Sequence, residues 1–576
     1  MLGDISPRQK VTVMIGVLAA LLLSALDQTI ISTAMPQIVR DLNGLSHLSW
    51  VFTGYLLAAT IATPIYGKLS DIYGRKSFFM SAVVIFLVGS ALAGQSQSMT
   101  QLIFFRTLQG IGGGGIMANA YAIIGDLFTP KERGKWQGIL GAVFGLASVV
   151  GPLLGGYLTD QASWRWTFYI NLPIGIAALF LIGILMPRII PSNQNRRIDY
   201  LGAITLAIGL SSLLLGFVWG GSQYAWNSWQ VLAAFGSALV VLSIFAFIER
   251  AAKDSAILPL DLFQNPIFAV AGFATFLSGM AMFGAIIYIP LFGQSILGTT
   301  ATSAGAILTP LMFGLITASI IGGQIISRTG HYKLLGIFGL AVVTSALYLL
   351  SQMTAETTKL QLVERMVGMG FGLGSTLPVF NIAIQNAFDR TRLGVVTAAS
   401  QMFRSIGGTV GTAVMGGVLN SALAQHAAIL SSDPFAVRLH SLSIGQINFE
   451  TINSSTVQTL LSLPVQAMIQ DKLGQLPPLY RVEALQQFDN FILAIKDAYA
   501  TSIGEVFLVA TALTALAFVV TLFLKEIPLQ GRAPVAAELP EHQETLIGAV
   551  VEVAHNLNQQ IPAVRRPRMD GITARH

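Results

Sequence analysis

The chain consists mostly of apolar runs of about 20 residues, and the short loops between these runs carry most of the charges. A helix of that length spans the hydrocarbon core of a bilayer and satisfies its own backbone polar groups there. Fourteen such runs can be marked, and we predict that each is a membrane-spanning helix. Their bounds are 11–34, 50–66, 78–95, 99–125, 136–158, 166–186, 201–219, 231–247, 267–292, 303–326, 334–351, 360–388, 395–422 and 503–524.

The composition excludes several classes of protein. Of the 576 residues, 53% are hydrophobic and 10% are charged, whereas a soluble protein carries about 25% charged residues. The chain has no cysteine, its outer-loop histidines show no metal-ligand spacing, and it lacks the glycine-rich phosphate loop of an ATP-driven pump. We therefore expect an all-α polytopic membrane protein that is not an enzyme and has neither a metal nor a cofactor.

The loop charges predict the orientation. One set of loops is basic, and the opposite short loops hold only Arg40, Arg165 and Lys359. Because basic loops stay on the cytoplasmic side, both termini are expected there, in a multi-pass protein of the cytoplasmic membrane. The net charge of +6 is explained by this asymmetry, so we expect the lipid bilayer, and no nucleic acid, as a partner.

Two halves of the chain share one hydropathy plan. The segment from Phe128 to Gly134 matches the segment from Phe388 to Gly394, and Gly67 and Gly74 match Gly323 and Gly330. The predicted divisions are a six-helix bundle (1–187), two inserted helices with flanking loops (188–262), the first five helices of a second bundle (263–424), an outer loop (425–499), the last helix (500–526) and a mobile cytoplasmic tail (527–576). The outer loop is either a helical hairpin, broken near Pro464 and Pro477, or a disordered linker.

The loop from Gly67 to Lys76 has the pattern G-x-L-x-D-x-x-G-R-K, and we call it the loop motif. Gly67 permits the close approach of two helix ends, and Gly74 permits a tight reversal. Asp71 suits a helix N-terminus, while Arg75 and Lys76 supply positive charge. These residues either set the topology alone or form a conformational latch. The second copy has Ser327 in place of Asp71, which predicts a weaker latch there.

The loop motif resembles the signature of the major facilitator superfamily. That resemblance implies two six-helix bundles that rock about a central site. The segment from Leu26 to Pro36 further resembles the first-helix motif of the fourteen-helix drug:proton antiporter branch, in which the acidic residue handles a proton or a cationic substrate. Here that residue is Asp27. A carboxylate in hydrocarbon is functional by default, although a structural ion pair is the alternative.

Arg106 lies in the fourth run, at nearly the depth of Asp27, and a buried guanidinium requires a carboxylate or a polar cage. The family assigns this arginine to proton coupling. A structural ion pair is again the alternative. We hypothesise that Arg106 changes partners as the site alternates, which would alter the proton affinity of Asp27.

The fifth run is rich in glycine and contains a proline. Its small residues form close-packing faces, and the proline removes a backbone donor. The sequence G-P-x-x-G-G resembles the antiporter motif of the family, which implies export; generic helix packing is the alternative. The residues of this candidate motif are Gly141, Gly145, Gly151, Pro152, Gly155 and Gly156.

Other polar residues within the runs either line a cavity or join helices by hydrogen bonds. They are Asn119, Gln294, Glu364, Asn381, Gln385, Arg404 and Glu505.

The resemblance therefore implies a proton-coupled antiporter that exports lipophilic, cationic drugs as a multidrug efflux protein. Its expected partners are small lipophilic substrates and protons, and we expect a monomer driven by the proton gradient. Two alternatives stay open: a dedicated exporter or flippase of an endogenous lipid or metabolite, and a membrane sensor or scaffold that transports nothing.

Overall fold

The computed structural model describes residues 6–42, 47–187, 198–221, 223–252, 255–297, 307–431, 457, 460–475 and 477–529. Within these ranges the chain is helical and contains no β-strand. The helices of the first half are α1 (Pro7–Leu42), α2 (Leu48–Tyr73), α3 (Arg75–Gly94), α4 (Met99–Leu127), α5 (Pro130–Gln161), α6 (Trp166–Tyr169) and α7 (Asn171–Leu185). They are followed by α8 (Tyr200–Trp219), α9 (Trp229–Ala252), α10 (Pro266–Ser295), α11 (Thr309–Thr329), α12 (Lys333–Ser351), α13 (Lys359–Asn386), α14 (Leu393–Ser431), α15 (Leu463–Gly474) and α16 (Pro478–Leu522).

Each of the apolar runs overlaps a helix of the structure. Among the described residues, twelve helical segments are long and apolar enough to cross a membrane, with α6 and α7 counting as one segment. The helices α2 and α4, which correspond to the runs 50–66 and 99–125, are not among the twelve. The all-helical architecture is therefore confirmed, and the count of fourteen crossings stays a prediction.

Side-chain caps define where several helices begin. Ser98 accepts a hydrogen bond from the backbone N–H of Gln101 at the start of α4 (3.3 Å). Before α13, Thr358 and Gln361 form a reciprocal capping box, in which each side chain accepts from the backbone N–H of the other. These bonds satisfy donors that have no partner within the helix, so the loop sequences themselves set the helix boundaries.

The two halves repeat the same packing arrangement. In the first half α4 packs between α2 and α3, while α1 packs against α5 and α7. In the second half α13 packs between α11 and α12, while α10 packs against α14 and α16. Two seams join the halves, one between α2 and α14 and the other between α5 and α11. The repeat in the sequence thus corresponds to a repeat in three dimensions.

The inserted helices α8 and α9 pack on each other beside one seam, where α8 also contacts α2 and α14. The end of α9 is joined to the chain that follows it through Glu249, which is 2% exposed. Its carboxylate accepts hydrogen bonds from the backbone N–H groups of Ile257 (2.9 Å) and Leu258 (3.3 Å). The inserted helices therefore lie beside the two halves and take no part in their packing repeat.

The last helix is longer than the sequence suggested. We predicted a span at 503–524, after an outer loop that ends at 499, but α16 begins at Pro478 and continues without interruption to Leu522. Phe488, Phe491 and Ile495 are buried and recur at helical spacing, so the apolar stripe leads directly into the membrane span. No proline interrupts the helix after Pro478, so no break in the helix marks the predicted boundary at 499.

The described part of the outer segment forms two helices, α15 and the beginning of α16, with a short break before Pro478. Its apolar side chains pack on the second half and share a core with Phe292 and Leu350. Most of 425–456 and the tail after 529, with the short helix expected near 544–556, lie outside the described residues.

Substitution of Phe491 tests whether this hairpin is docked on the bundle. Phe491 is 1% exposed, whereas Leu493 on the same helix is 54% exposed. Phe491→Ala should destabilise the protein by about 3 kcal/mol because it leaves a cavity, and Leu493→Ala by less than about 0.5 kcal/mol. Thermal melting of both variants in detergent measures the difference; equal melting temperatures would mean that the hairpin is not held by this contact.

Candidate functional site

A buried ion pair joins α1 and α4. The guanidinium of Arg106 donates from Nη1 to Oδ2 of Asp27, and each of the two side chains is 1% exposed. The side chains that contact this pair are also buried, so both charges lie away from solvent and lipid. A charge pair in such a place is stable only when further hydrogen bonds compensate for lost hydration. The structure therefore brings together the two residues that the sequence placed at one depth.

Two amides complete the coordination of Asp27. Its Oδ1 accepts from Nε2 of Gln109 (2.8 Å) and from Nδ2 of Asn171 (3.0 Å). Asn171 also donates to Oγ of Ser90 (2.9 Å), and Gln109 accepts from Nη1 of Arg106 (2.7 Å). Four helices, α1, α3, α4 and α7, thus contribute to one polar network.

An aromatic ring covers the guanidinium. Its central carbon, Cζ of Arg106, lies 4.3 Å from the ring centroid of Tyr55. The hydroxyl of Tyr55 lies 3.2 Å from that of Ser24. Nε of Arg106 is buried and has no hydrogen-bond partner. A cation over an aromatic face is stabilised without a second carboxylate, so Arg106 retains an alternative contact should its bond to Asp27 break.

The sequence patterns did not predict that Gln109, Asn171, Ser90 and Tyr55 belong to this site. Gln109 follows Arg106 by about one helical turn. That spacing could have indicated that the two side chains are neighbours. Asn171 is a lone amide near the start of an apolar run, and nothing in the sequence links it to Asp27. Its position depends on how α7 packs against α1 and α3.

The loop motif closes the seam between α2 and α14. The carboxylate of Asp71 accepts hydrogen bonds from the backbone N–H groups of Gly394 (3.1 Å) and Val395 (2.9 Å). These are unpaired donors in the first turn of α14, where the helix dipole favours a negative charge. A Cβ on Gly67 would lie 2.8 Å from the carbonyl oxygen of Gly394, so glycine permits this approach. Asp71 thus caps a helix of the other half.

The basic residues of the motif bind within the first half. Arg75 is paired with Asp71, and its Nε donates to Oδ2 of Asp126 (2.7 Å). Lys76 donates from Nζ to the carbonyl oxygen of Gly183 (2.7 Å). Gly74 has a φ of +97°, a backbone conformation that residues other than glycine rarely adopt. We call the end of the bundle that carries this loop the motif end.

The other seam is closed at the same end. The helices α5 and α11 approach so closely that a Cβ on Gly134 would lie 2.8 Å from the carbonyl oxygen of Gly323. Gln385 of the second half accepts from Nε2 of Gln137 (3.0 Å) and donates to the carbonyl oxygen of Tyr121 (3.1 Å). Gln385 therefore joins the two halves by hydrogen bonds in this state.

The second copy of the loop motif uses a different carboxylate. Gly330 has a φ of +76°, as the repeat implies, but Ser327 stands where the first copy has Asp71. Instead, Glu526 accepts from the backbone N–H groups of Tyr332 (2.6 Å) and Lys333 (3.0 Å). Partial burial raises the pKa of Glu526, but these hydrogen bonds outweigh it and leave the pKa below its ordinary value. Glu526 and its partners all belong to the second half, so this cap does not join the halves.

The glycines of α5 face two different partners. Gly141 and Gly145 lie against Ser319 and Ile316 of α11, whereas Gly151 and Gly155 lie against α1. A Cβ on Gly155 would overlap the side chain of Thr33 and the carbonyl oxygen of Ile30, but one on Gly156 would meet nothing within 4 Å. Pro152 lies between Gly151 and Gly155, in the part of α5 that faces α1. The close-packing role therefore belongs to Gly155 and not to Gly156.

The other candidates are scattered. Asn119 is buried and donates to the carbonyl oxygen of Gly115, and the amide of Asn381 accepts from Ser400 and Gln401 within the second half. Glu364 and Gln294 are exposed near helix ends, and Glu505 is partly exposed. Arg404 lines a small cavity of the second half. In the described part of the chain, no group of three His, Asp or Glu residues could hold a metal ion.

The fold and the site define a class: a polytopic membrane bundle of two repeated halves, with a buried carboxylate–guanidinium pair in one half and glycine-lined seams between them. The Major Facilitator Superfamily family model matches residues 17–412. The chain belongs to that superfamily and is a multi-pass protein of the cytoplasmic membrane.

Two bacterial relatives are similar over most of their length. The Multidrug transporter protein MdtP of Bacillus subtilis (strain 168) is 40% identical over 548 residues, which cover 94% of this chain and 97% of the relative. Multidrug resistance protein 3 of the same organism is 38% identical over 513 residues, covering 89% and 94%. A solved structure, the human organic anion transporter MFSD10 (TETRAN), aligns with 88% of this chain and all of its own, with a TM-score of 0.54. At 14% identity this likeness concerns the fold alone.

Loss of charge at Asp71 should open the motif end. Asp71→Asn removes the ionic bond to Arg75 and the charged acceptor for the first turn of α14, worth about 1.5–3 kcal/mol. Ala398 is fully buried against Gly67, and the chain has no cysteine. Maleimide labelling of an Ala398→Cys background should therefore be about tenfold faster with Asp71→Asn. Asp261→Asn, at an exposed ion pair, is the control; an unchanged labelling rate in Asp71→Asn would refute the latch.

Gly155 and Gly156 are neighbours on α5, so the same substitution at each can be compared directly. Gly155→Ala must displace α1 or Thr33, which should cost about 1–3 kcal/mol from overpacking. Gly156→Ala meets open space and should be neutral or slightly stabilising, since alanine favours a helix. Melting temperature and dye efflux of the two variants check this contrast. Equal losses of melting temperature and efflux in both variants would show that the glycine pattern matters for a reason other than the α1–α5 contact.

Proposed function

We propose that the protein is a proton-coupled antiporter that exports lipophilic compounds, including cationic ones, from the cell. In this proposal the chain crosses the membrane fourteen times as a monomer, and the proton gradient drives it without a cofactor. The multidrug transporters of Bacillus subtilis support the substrate class, since they are 38–40% identical to this chain.

The observation that carries the proposal is the coordination of Asp27. This carboxylate accepts from Arg106, Gln109 and Asn171, and it is almost fully buried. A proton that reaches Asp27 would cancel the attraction of Arg106 and leave a neutral acid. The guanidinium would then depend on Gln109 and on the ring of Tyr55. Protonation and the position of Arg106 are thereby linked.

The closed seams support a conformational cycle. Both described ends of the chain lie at the motif end: Gln9 donates to the carbonyl oxygen of Leu185 (2.9 Å), and Leu529 pairs with Gly330 (3.0 Å). If that end faces the cytoplasm, as the basic loops predict, the closed motif end corresponds to a state that is shut toward the cytoplasm. Opening it requires release of Asp71 from α14 and separation of Gly134 from Gly323.

Export requires that substrate and proton favour different states of the same site. The carboxylate of Asp27 is occupied by Arg106 in this state, so a cationic substrate would have to compete with the guanidinium. A proton, being smaller, reaches the carboxylate with less rearrangement. We therefore assign the proton to Asp27 and the change of partner to Arg106, and cationic substrates would bind after Arg106 has moved.

Efflux from inverted membrane vesicles under an imposed pH gradient tests this function. We expect gradient-dependent transport of a lipophilic dye by the native chain and a reduction of about tenfold or more with Asp27→Asn, because the variant can no longer exchange a proton. Asp160→Asn, at an exposed residue near the end of α5, is the matched control and should transport normally. Gradient-dependent efflux that survives in Asp27→Asn would remove Asp27 from the mechanism.

A further inference from the structure

A second arginine lies deep within the bundle, on α14. Arg404 is about 16 Å along the helix from its first residue, Leu393, which is near the middle of a hydrocarbon core about 30 Å thick. It lines a cavity of about 20 Å³ in the second half, between α10, α13 and α14. The cavity has room for about one water molecule in this state.

Arg404 is partly buried, and it differs from Arg106 and Arg75 in its partners. Arg106 is paired with Asp27, and Arg75 with Asp71 and Asp126. Across the described ranges, no carboxylate lies within ion-pair distance of Arg404. Arg404 interacts instead with the hydroxyl of Tyr121, which belongs to α4 in the other half. A neutral hydroxyl does not compensate a guanidinium as a carboxylate does.

The rest of the cavity combines one more donor with an apolar wall. The hydroxyl of Ser278 is buried and has no hydrogen-bond partner. Met282, Leu377 and Phe380 provide apolar surface around it. An unpaired cation in a membrane interior is costly, and a planar guanidinium matches the two oxygens of a carboxylate. This arrangement suits a ligand with a lipophilic body and an anionic group.

We propose that Arg404 binds the carboxylate of amphiphilic substrates, with Tyr121 as its partner in the closed state and Ser278 as a second donor. The role as a transport site rests on the proposed export function, but the binding itself does not. The substrate range then includes organic anions, whose charge is recognised in the second half, apart from the Asp27–Arg106 pair of the first half. A purely structural arginine bonded to Tyr121 is the competing explanation.

Binding to the purified full-length protein in detergent tests the proposal directly. The probes are a fluorescent lipophilic carboxylate and its primary amide, which differ in charge and hardly in size. The native chain should bind the carboxylate about tenfold more tightly than does Arg404→Gln, since a charged hydrogen bond is lost. Binding of the amide should stay within about twofold. Comparison between variants cancels the partitioning of each probe into detergent.

Three further variants distinguish a binding role of Arg404 from a structural one. Arg404→Lys keeps the charge without the bidentate geometry and should retain part of the preference for the carboxylate. Tyr121→Phe removes the competing hydroxyl and should leave carboxylate binding equal or tighter. Arg8→Gln makes the same change of charge at an exposed position at the start of α1, and should bind both probes as the native chain does.

Several results would overturn the proposal. One is an equal weakening of the binding of both probes in Arg404→Gln, and another is a preference for the carboxylate that survives in that variant. A third is that chloride displaces the carboxylate probe as effectively as acetate does. If Arg404→Gln does not fold, the other two variants decide. Loss of carboxylate binding in Tyr121→Phe would refute the site, and so would complete loss of carboxylate binding in Arg404→Lys. Gradient-driven efflux of an uncharged dye is measured separately: its absence with intact carboxylate binding would refute the export function and leave this site standing.

Discussion

The hydrogen-bonded ion pair between Asp27 and Arg106 is the interaction on which the proposed mechanism depends. In hydrocarbon neither charge is tolerated alone, so each residue requires the other, and the amides of Gln109 and Asn171 complete the coordination. The pair also ties α1 to α4, and through Asn171 to α7. Any event that neutralises Asp27 therefore changes the packing forces among several helices at once, which is what coupling of a proton to a conformational change requires.

The repeat explains why the motif end closes along two seams. The same packing within each half makes the contact of α2 with α14 correspond to that of α5 with α11. The two seams nevertheless differ in chemistry. Asp71 caps α14 with a charge, whereas the second seam depends on glycine contacts and on Gln385. The second copy of the loop has lost its acidic residue, and Glu526 caps α12 within its own half. Among the described residues, a carboxylate thus joins the halves at one seam and not at the other.

The membrane interior holds charges of two kinds. The charge of Arg106 is neutralised within the protein, so the polar core of the first half is close to neutral in this state. Among the described residues no carboxylate pairs with Arg404, which interacts with the hydroxyl of Tyr121 and lines a cavity of the second half. In our two proposals, the proton is handled at Asp27, and the carboxylate of an anionic substrate is recognised at Arg404. Under these proposals one bundle would handle compounds of either charge sign, because the two sites lie in different halves.

The amino-acid sequence determined the helices, the repeat, the loop motif and the depth of Asp27 and Arg106, because hydrophobic length and local spacing encode these features directly. It did not determine the start of α16, since the apolar stripe of the outer segment has no signal that separates it from the membrane span. Nor did it show that Asn171 binds Asp27, that Gln385 joins the halves, or that Gly155 is crowded while Gly156 is not. Those facts depend on which helix faces approach each other. Only the packed tertiary structure decides that, because side chains far apart in the chain meet at distances that no local pattern records.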